Sequence, residues 1–316
     1  MKTRAHTPVL LDEVIGHLNP RDGETYIDCT FGNGGYSEAI LEKAKATVYA
    51  FDIDPEVAIF VAEIKKRLGE KGEGLHFIEG NFAEFESKLG GILVDGIVAD
   101  LGVSSMQIDI PERGFSFQKK GPLDMRMSKS GLSAYEVVND YSGEELSDII
   151  YKYGEENKAR QIARAIVRSR EAAPIETTTQ LADIVRRVFG GQRKKKIDFA
   201  TKTFQAIRIF VNGEIDNLSK LLGAAERSLK DDGRLIVVSF HALEDRVVKS
   251  FMHEKSGYKP GVSRYMPEVE ENNVPSFKMI TKKPIVPSDV ELEKNIRSRS
   301  AKLRSAVRIN RDKEHV

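Results

Sequence analysis

The chain has 316 residues, 40% of them apolar, and a formal net charge of +1 with 31% charged side chains. That length buries a sizeable core and leaves room for two domains, while the near-neutral charge excludes a uniformly basic protein and confines any nucleic-acid contact to local patches. Cys29 is the sole cysteine, which excludes an intrachain disulfide framework and a cysteine-based zinc site and leaves it as a small buried strand residue.

Near the N-terminus, Asp12 and Glu13 interrupt the apolar run from Val9 to Leu11, so the segment makes a poor signal peptide. No stretch approaches the ~20 apolar residues of a membrane span, and a soluble, cytoplasmic protein is expected. Residues 25–36, TYIDCTFGNGGY, read as a strand that breaks into Gly32, Gly34 and Gly35 and then enters a helix. Glycines allow a sharp bend and close approach to a ligand, and the free N–H groups of the helix start point the same way. Asp28 precedes the turn, and Asp52 ends the next strand, Thr47 to Phe51. The interval from Gly32 to Asp52 is the roughly 20 residues at which a carboxylate meets the ribose hydroxyls of a nucleoside. Gly32-x-Gly34-Gly35 lacks the third glycine of the dinucleotide pattern, which favours a cofactor with a ribose and no phosphates.

Asp54-Pro55-Glu56 reads as a capped helix start, leaving Asp52 as the ligand candidate. Leu75 to Ile78 and Val94 to Leu101 are the next strands; Phe82 follows the first, as an adenine neighbour or a core residue, and Asp100 ends the second. Residues 106–133 look like a long loop, and from Ala134 to about Val211 the apolar spacing is helical throughout. A helix from Ile215 to Leu229, a turn at Asp231-Asp232-Gly233 and a strand from Arg234 to Phe240 follow, with His241 opening another helix. Phe277 to Thr281 and Leu303 to Ile309 read as edge strands, the last with Lys302, Arg304 and Arg308 on one face. The expected division is 1–110 and 213–316 as two parts of an α/β domain, with 111–212 as a loop plus inserted helical domain.

With these segments in order, HTPVLLDEV (6–14), YIDCTFGNGG (26–35), AFDIDPE (50–56), DLGVSSMQID (100–109), ERGFSF (112–117), GPLDMRM (121–127), YGEE (153–156), FATKTFQAIRIFVN (199–212), VSFHALEDRVVK (238–249) and RSRSAKLR (297–304), the chain resembles the bacterial cytosine-N4 methyltransferases of 16S ribosomal RNA. The resemblance covers nearly the whole chain. It implies a class I, Rossmann-like methyltransferase sheet with a helical insertion, S-adenosylmethionine as cofactor, and 16S rRNA of the small ribosomal subunit as partner, with a homodimer left open. Carried over by position, the cofactor contacts are Gly34, Gly35, Tyr36, Asp52, Phe82, Asp100 and Gln107. Two positions depart from the family pattern: Tyr36 stands where histidine is usual, and Ala242 where serine is usual.

Methyl transfer to an exocyclic amine needs the nitrogen in line with the methyl, which placement supplies, and an acceptor for the amine hydrogens. Asp100 and His241 are the catalytic candidates: Asp100 as a cofactor contact or as the group that orients the amine, ahead of a structural role alone, and His241 as acid/base, RNA contact or helix cap. Asp124 and Arg126 either frame a cytosine edge or hold the loop as an internal ion pair. No metal is expected, because the six histidines are dispersed and no carboxylate cluster has ligand spacing. Three basic stretches are candidate RNA contacts: Arg193 to Lys196 with Lys202 and Arg208 nearby, the basic face of the last strand, and residues 112–127. A base in folded RNA has to be unstacked to reach a buried methyl, which suits a mobile lid and a separate helical domain. Rival readings are an NAD-dependent oxidoreductase, disfavoured by the glycine spacing, a noncatalytic RNA-binding factor, and a DNA amino-methyltransferase. The last is disfavoured because Asp100-Leu101-Gly102-Val103 lacks the proline-proline-aromatic segment.

Overall fold

The computed structural model describes residues 8–190, 198–258 and 274–309. Two compact units emerge: residues 1–102 with 216–316, and residues 103–215. Among the described residues no helix is long and apolar enough to cross a membrane.

The first unit opens with α1 (Leu11–Leu18), β1 (Thr25–Asp28), α2 (Gly35–Lys43), β2 (Thr47–Asp52), α3 (Ala58–Leu68), β3 (Leu75–Glu79), α4 (Phe85–Lys88) and β4 (Val94–Asp100). The helical unit follows with α5 (Ser105–Asp109), α6 (Ala134–Asp140), α7 (Gly143–Gly154), α8 (Ala159–Arg170), α9 (Thr178–Val188) and α10 (Ala200–Asn212). The chain then returns through α11 (Glu214–Ser228), β5 (Leu229–Ser239), α12 (Ala242–Lys255), β6 (Phe277–Met279), α13 (Asp289–Lys294) and β7 (Lys302–Arg308).

The seven strands run in the order β3-β2-β1-β4-β5-β7-β6. β1 to β5 are parallel, and β7 is antiparallel to both β5 and β6. This is the class I methyltransferase sheet: a doubly wound α/β core closed at one side by a reversed strand. Its central strands are buried on both faces, so β4 reads as a nearly continuous apolar run. The order reverses between β1 and β4, and ligands of such sheets bind at the carboxyl ends of the strands flanking that switch point.

Two local expectations change. The turn expected at Asp231-Asp232-Gly233 lies within β5 as an irregularity: Leu229 pairs with Val94 and Arg234 with Gly96, so Lys230 to Gly233 bulge out opposite Asp95, with Asp232 at φ 64°. β7 is not an edge strand, because β6 covers its free side. Its basic face is also spent. Arg304 is 6% exposed and donates to Asp245 of α12 at 2.7 Å; Lys302 bonds the same carboxylate at 3.1 Å, and Arg308 donates to the Ser276 carbonyl at 2.8 Å. That face is removed from the candidate RNA contacts.

In the helical unit, Leu146, Ile149, Ile150, Ile162, Ile166, Leu181 and Val185 form one core with Phe204 and Ile207. The helices start on capping boxes at Ser133/Glu136, Ser142/Glu145 and Thr177/Gln180, each satisfying two orphan amides. Residues 111–133 are pinned rather than lid-like. Leu123 and Met125 sit in the core, Asn212 bonds both Met125 O and Met127 N at 2.8 Å, and Arg113 donates to the carbonyls of Arg126 and Met127. Gly114, at φ 74°, sits where a Cβ would come within 2.3 Å of the Pro122 carbonyl. Arg126 and Asp124 form the internal ion pair, at 2.6 Å, which fixes the loop instead of leaving a free cytosine-reading edge. With Arg113 and Arg126 committed in this way, the third candidate RNA patch keeps only the exposed Lys119 and Lys120. Of the first patch, residues 193–196 lie outside the described residues; Lys202 bonds the Glu155 carbonyl and Arg208 is paired with Glu214 at 2.8 Å. Phe204 is core, and Phe199 stacks on Phe189 at 4.2 Å.

Candidate active site

The carboxyl ends of β1, β2 and β4 are tied to one another through the glycine turn. Cys29 N–H donates to Val98 O at 2.9 Å, Phe31 N–H to Phe51 O at 2.8 Å, and Asp100 N–H to Thr30 Oγ1 at 2.8 Å. Each bond stitches the turn to a neighbouring strand, so three carboxylates are presented by a rigid frame.

Asp28 is fully buried and accepts from Ser37 Oγ at 2.7 Å and Thr30 N–H at 3.2 Å. Asp52 accepts Gly32 N–H on one oxygen at 2.7 Å and Asp54 N–H on the other at 2.9 Å, with the Ile53 amide as a third donor to the same carboxylate. Asp54 is the cap expected of it, accepting Glu56 N–H. Asp100 differs from both: its Oδ1 is buried with no hydrogen-bond partner among the described residues. Burial pushes Asp28 and Asp52 up to about 6. Asp100 is held well above the ordinary carboxylate value, first by burial and then by the charges of Asp28, Glu244 and Glu291. Burial and like charges favour the neutral, protonated form of this acid, and a cation placed beside it would reverse that preference.

The glycines divide into two kinds. A Cβ on Gly34, at φ 75°, would strike Ile64 Cδ1 at 2.1 Å, and one on Gly35 would strike Pro8 Cγ at 2.2 Å. Those two are glycines because protein packs on them. Gly32 has only the Thr30 carbonyl within 4 Å, at 3.9 Å, so the open space beside the turn is there. The sequence alone could not separate these roles.

The N-cap of α2 is Gly34, which has no side chain to offer; Asp28 takes the amide of Ser37, and among the described residues no side chain bonds the amides of Gly35 and Tyr36. The Tyr36 side chain points away from this job. It is 3% exposed and its hydroxyl donates to the Val9 carbonyl, which gives the departure from histidine a structural use. Pro8 on Gly35, Val9 on Tyr36, and Leu10 N–H on Glu291 Oε1 at 2.8 Å hold the N-terminal strand of chain over the start of α2. Phe82 is half-buried, with part of its ring on the sheet core, so it is both core neighbour and available surface.

His241 is the N-cap of α12. Its Nδ1 accepts Glu244 N–H at 3.3 Å while Glu244 Oε2 accepts the amides of Phe240 and His241. Nε2 lies 3.1 Å from Glu244 Oε1 at an angle that makes no hydrogen bond. Gln107 belongs to the helical unit, where its Oε1 accepts Ser104 N–H and closes the capping box of α5. The frame also includes groups that sequence reasoning had not singled out: Thr30, Ser37, Glu244 and Glu291. Glu244 carries a readable signal, the His-x-x-Glu spacing of a capping box. Glu291 carries none.

The model of the MraW methylase family matches residues 3–309. Among curated relatives, "Ribosomal RNA small subunit methyltransferase H" of Rickettsia bellii (strain RML369-C) is 52% identical over 305 residues, covering 96% of this chain and 99% of the relative. The protein of the same name from Rickettsia massiliae (strain Mtu5) is 53% identical over 307 residues, covering 96% and 98%. A SAM-dependent O-methyltransferase from Thermotoga maritima is similar in structure at a TM-score of 0.42 and 10% identity, covering 99% of this chain and 71% of that one.

Proposed function

The chain belongs to the MraW methylase family, and on that premise we propose that it methylates the exocyclic N4 of a cytidine in 16S rRNA with S-adenosylmethionine as donor, the sheet unit holding the cofactor while the helical unit meets the RNA. The observation that carries the first half is the enclosed, unpartnered Oδ1 of Asp100 among like charges. The charge balance supports the second. Residues 103–215 hold 19 Lys and Arg against 15 Asp and Glu, and the remainder of the chain holds 30 against 33.

The residues present fit a cationic nucleoside. When bound, the cofactor supplies a methyl group made electrophilic by its sulfonium. Asp52 would accept from a ribose hydroxyl with the acceptor capacity its three backbone donors leave, and Gly32 leaves the space for the sugar to approach. The uncapped amides of Gly35 and Tyr36 receive the carboxylate of the methionine moiety, as helix starts do for anions. Asp100 takes the ammonium. A neutral cytosine amine would leave the like-charge cluster unrelieved, so the cofactor is the better partner for this group. Phe82 offers its free face to the adenine. His241, with Nδ1 committed to the cap, acts as a positioning residue that fixes the chain after β5. Catalysis is then chiefly placement of the amine against the methyl. We take the substrate to be the small ribosomal subunit and the compartment to be the cytoplasm where such subunits are assembled.

The direct test is incubation with methyl-labelled S-adenosylmethionine and small subunits from cells lacking the gene, followed by nucleoside analysis. Label in N4-methylcytidine is expected; label in any other nucleoside overturns the proposal.

A pH dependence follows from Asp52. In the free protein its carboxyl is half protonated at about pH 6, because burial penalises the charge. The ribose hydroxyls need the ionised form, so the Asp52 contribution to cofactor affinity should fall by roughly tenfold per pH unit below about 6. Unfolding does not explain such a loss. An acid whose folded value is raised favours the folded state more as pH falls through that value, so the site weakens while this group's contribution to folding improves. Calorimetric titration across that range reads the effect; a flat profile would remove Asp52 from the ribose contact.

A further inference from the structure

Most arginines of the helical unit are committed. Arg113 and Arg170 bond backbone carbonyls, while Arg126, Arg186 and Arg208 are ion-paired. Arg160, Arg164 and Arg168 are not. They are exposed and recur every fourth residue along one face of α8, and their side chains make no hydrogen bond or ion pair among the described residues. At 1.5 Å of rise per residue the guanidinium stems stand about 6 Å apart, so the three form a row about 12 Å long. They line one wall of a groove of about 630 Å³, whose other wall is α7, with Glu144, Ser147 and Asp148; Glu171 lies at the end of the row.

We infer that this groove binds a single-stranded segment of the RNA substrate, with the phosphates on the α8 arginines and the ribose 2′-hydroxyls or exocyclic amines on the α7 carboxylates. The inference rests on the RNA reading proposed above. Guanidinium forks match phosphate oxygens bidentately and are weakly hydrated, so unpaired arginines in a row suit a chain of phosphates. The carboxylates make the groove more selective. They repel phosphate and so hold the backbone to the α8 wall, and as acceptors they meet donors that a ribose or a cytosine amine supplies. A volume of this size takes one or two nucleotides at a time, which suits a strand passing through rather than a duplex. Sequence reading passes over α8 because its arginines are interleaved with the buried Ile162, Ala163 and Ile166 and never form a run.

Cys29 is buried and is the only native cysteine, so Arg164→Cys can carry a photoreactive label at a single place. Irradiated with unmethylated small subunits, the labelled protein should crosslink to 16S rRNA. Crosslinking to a ribosomal protein, or none, overturns the inference. In parallel, Arg164→Gln combined with Arg168→Gln should raise KM for the subunits about tenfold or more and flatten the dependence of log KM on log salt by roughly 1.4, at ~0.7 for each phosphate left without its arginine. The kcat and the cofactor Kd should stay as in the parent; an unchanged KM also overturns the inference. If the parent protein itself methylates no RNA, the functional reading fails instead, and the crosslink reports on the groove separately.

Discussion

Asp52→Ala should weaken S-adenosylmethionine binding by about 100-fold, measured by calorimetry at pH 8. A hydrogen bond to a charged acceptor contributes about 1.5–3 kcal/mol, and removing the acceptor of the ribose hydroxyls costs about 3 kcal/mol in all, at 1.4 kcal/mol per factor of ten. The fold will register the change as well, because the same carboxylate accepts the amides of Gly32 and Asp54. Thermal unfolding of the unliganded variant should therefore show a loss of about 1–2 kcal/mol. Asp52→Asn separates the two effects: its amide oxygen can still accept one backbone N–H, so stability recovers in part while the charged ribose contact stays absent. If both variants bind the cofactor like the parent, the sugar is held elsewhere.

The part of the site that could be read from the sequence is the part made by neighbours along the chain. The strand, the glycine turn, α2, the Asp54-Pro55 cap and Asp52 all follow from local signals: a β-leaning run, glycines where φ turns positive, and an acid at the nucleoside interval. The helices of the insertion follow from their spacing, whereas the sequence leaves His241 open among acid/base, RNA contact and cap, and only the folded chain shows the cap. What could not be read is what strand order decides. β7 looks like an edge strand in one dimension; its basic face disappears only because Asp245, 59 residues from Arg304, packs on it. Glu291 reaches Leu10 across 281 positions and no pattern announces it. Asp124 and Arg126 show the converse, since a two-residue spacing permits either a ligand pair or an internal bridge, and only the folded chain shows the bridge.

Asp100→Asn should make the unliganded protein more stable while lowering activity by at least 100-fold. Its Oδ1 is enclosed without a partner, and Asp28, Glu244 and Glu291 all oppose its ionisation. An acid whose folded value is raised destabilises the fold above its ordinary value, and the penalty grows until pH passes the folded value. At pH 8 a neutral amide escapes most of that penalty, and a gain on the order of 1–2 kcal/mol is expected. For a chain of this size that is a rise in Tm of about 1.5–3 °C. The amide cannot neutralise a bound cation, so the cofactor Kd should rise in step with the loss of turnover, and saturating cofactor should restore part of the kcat. A different pattern would reassign the residue. If the Kd is unchanged and only kcat falls, Asp100 faces the cytosine amine; if Tm falls with activity, its carboxylate has a structural partner.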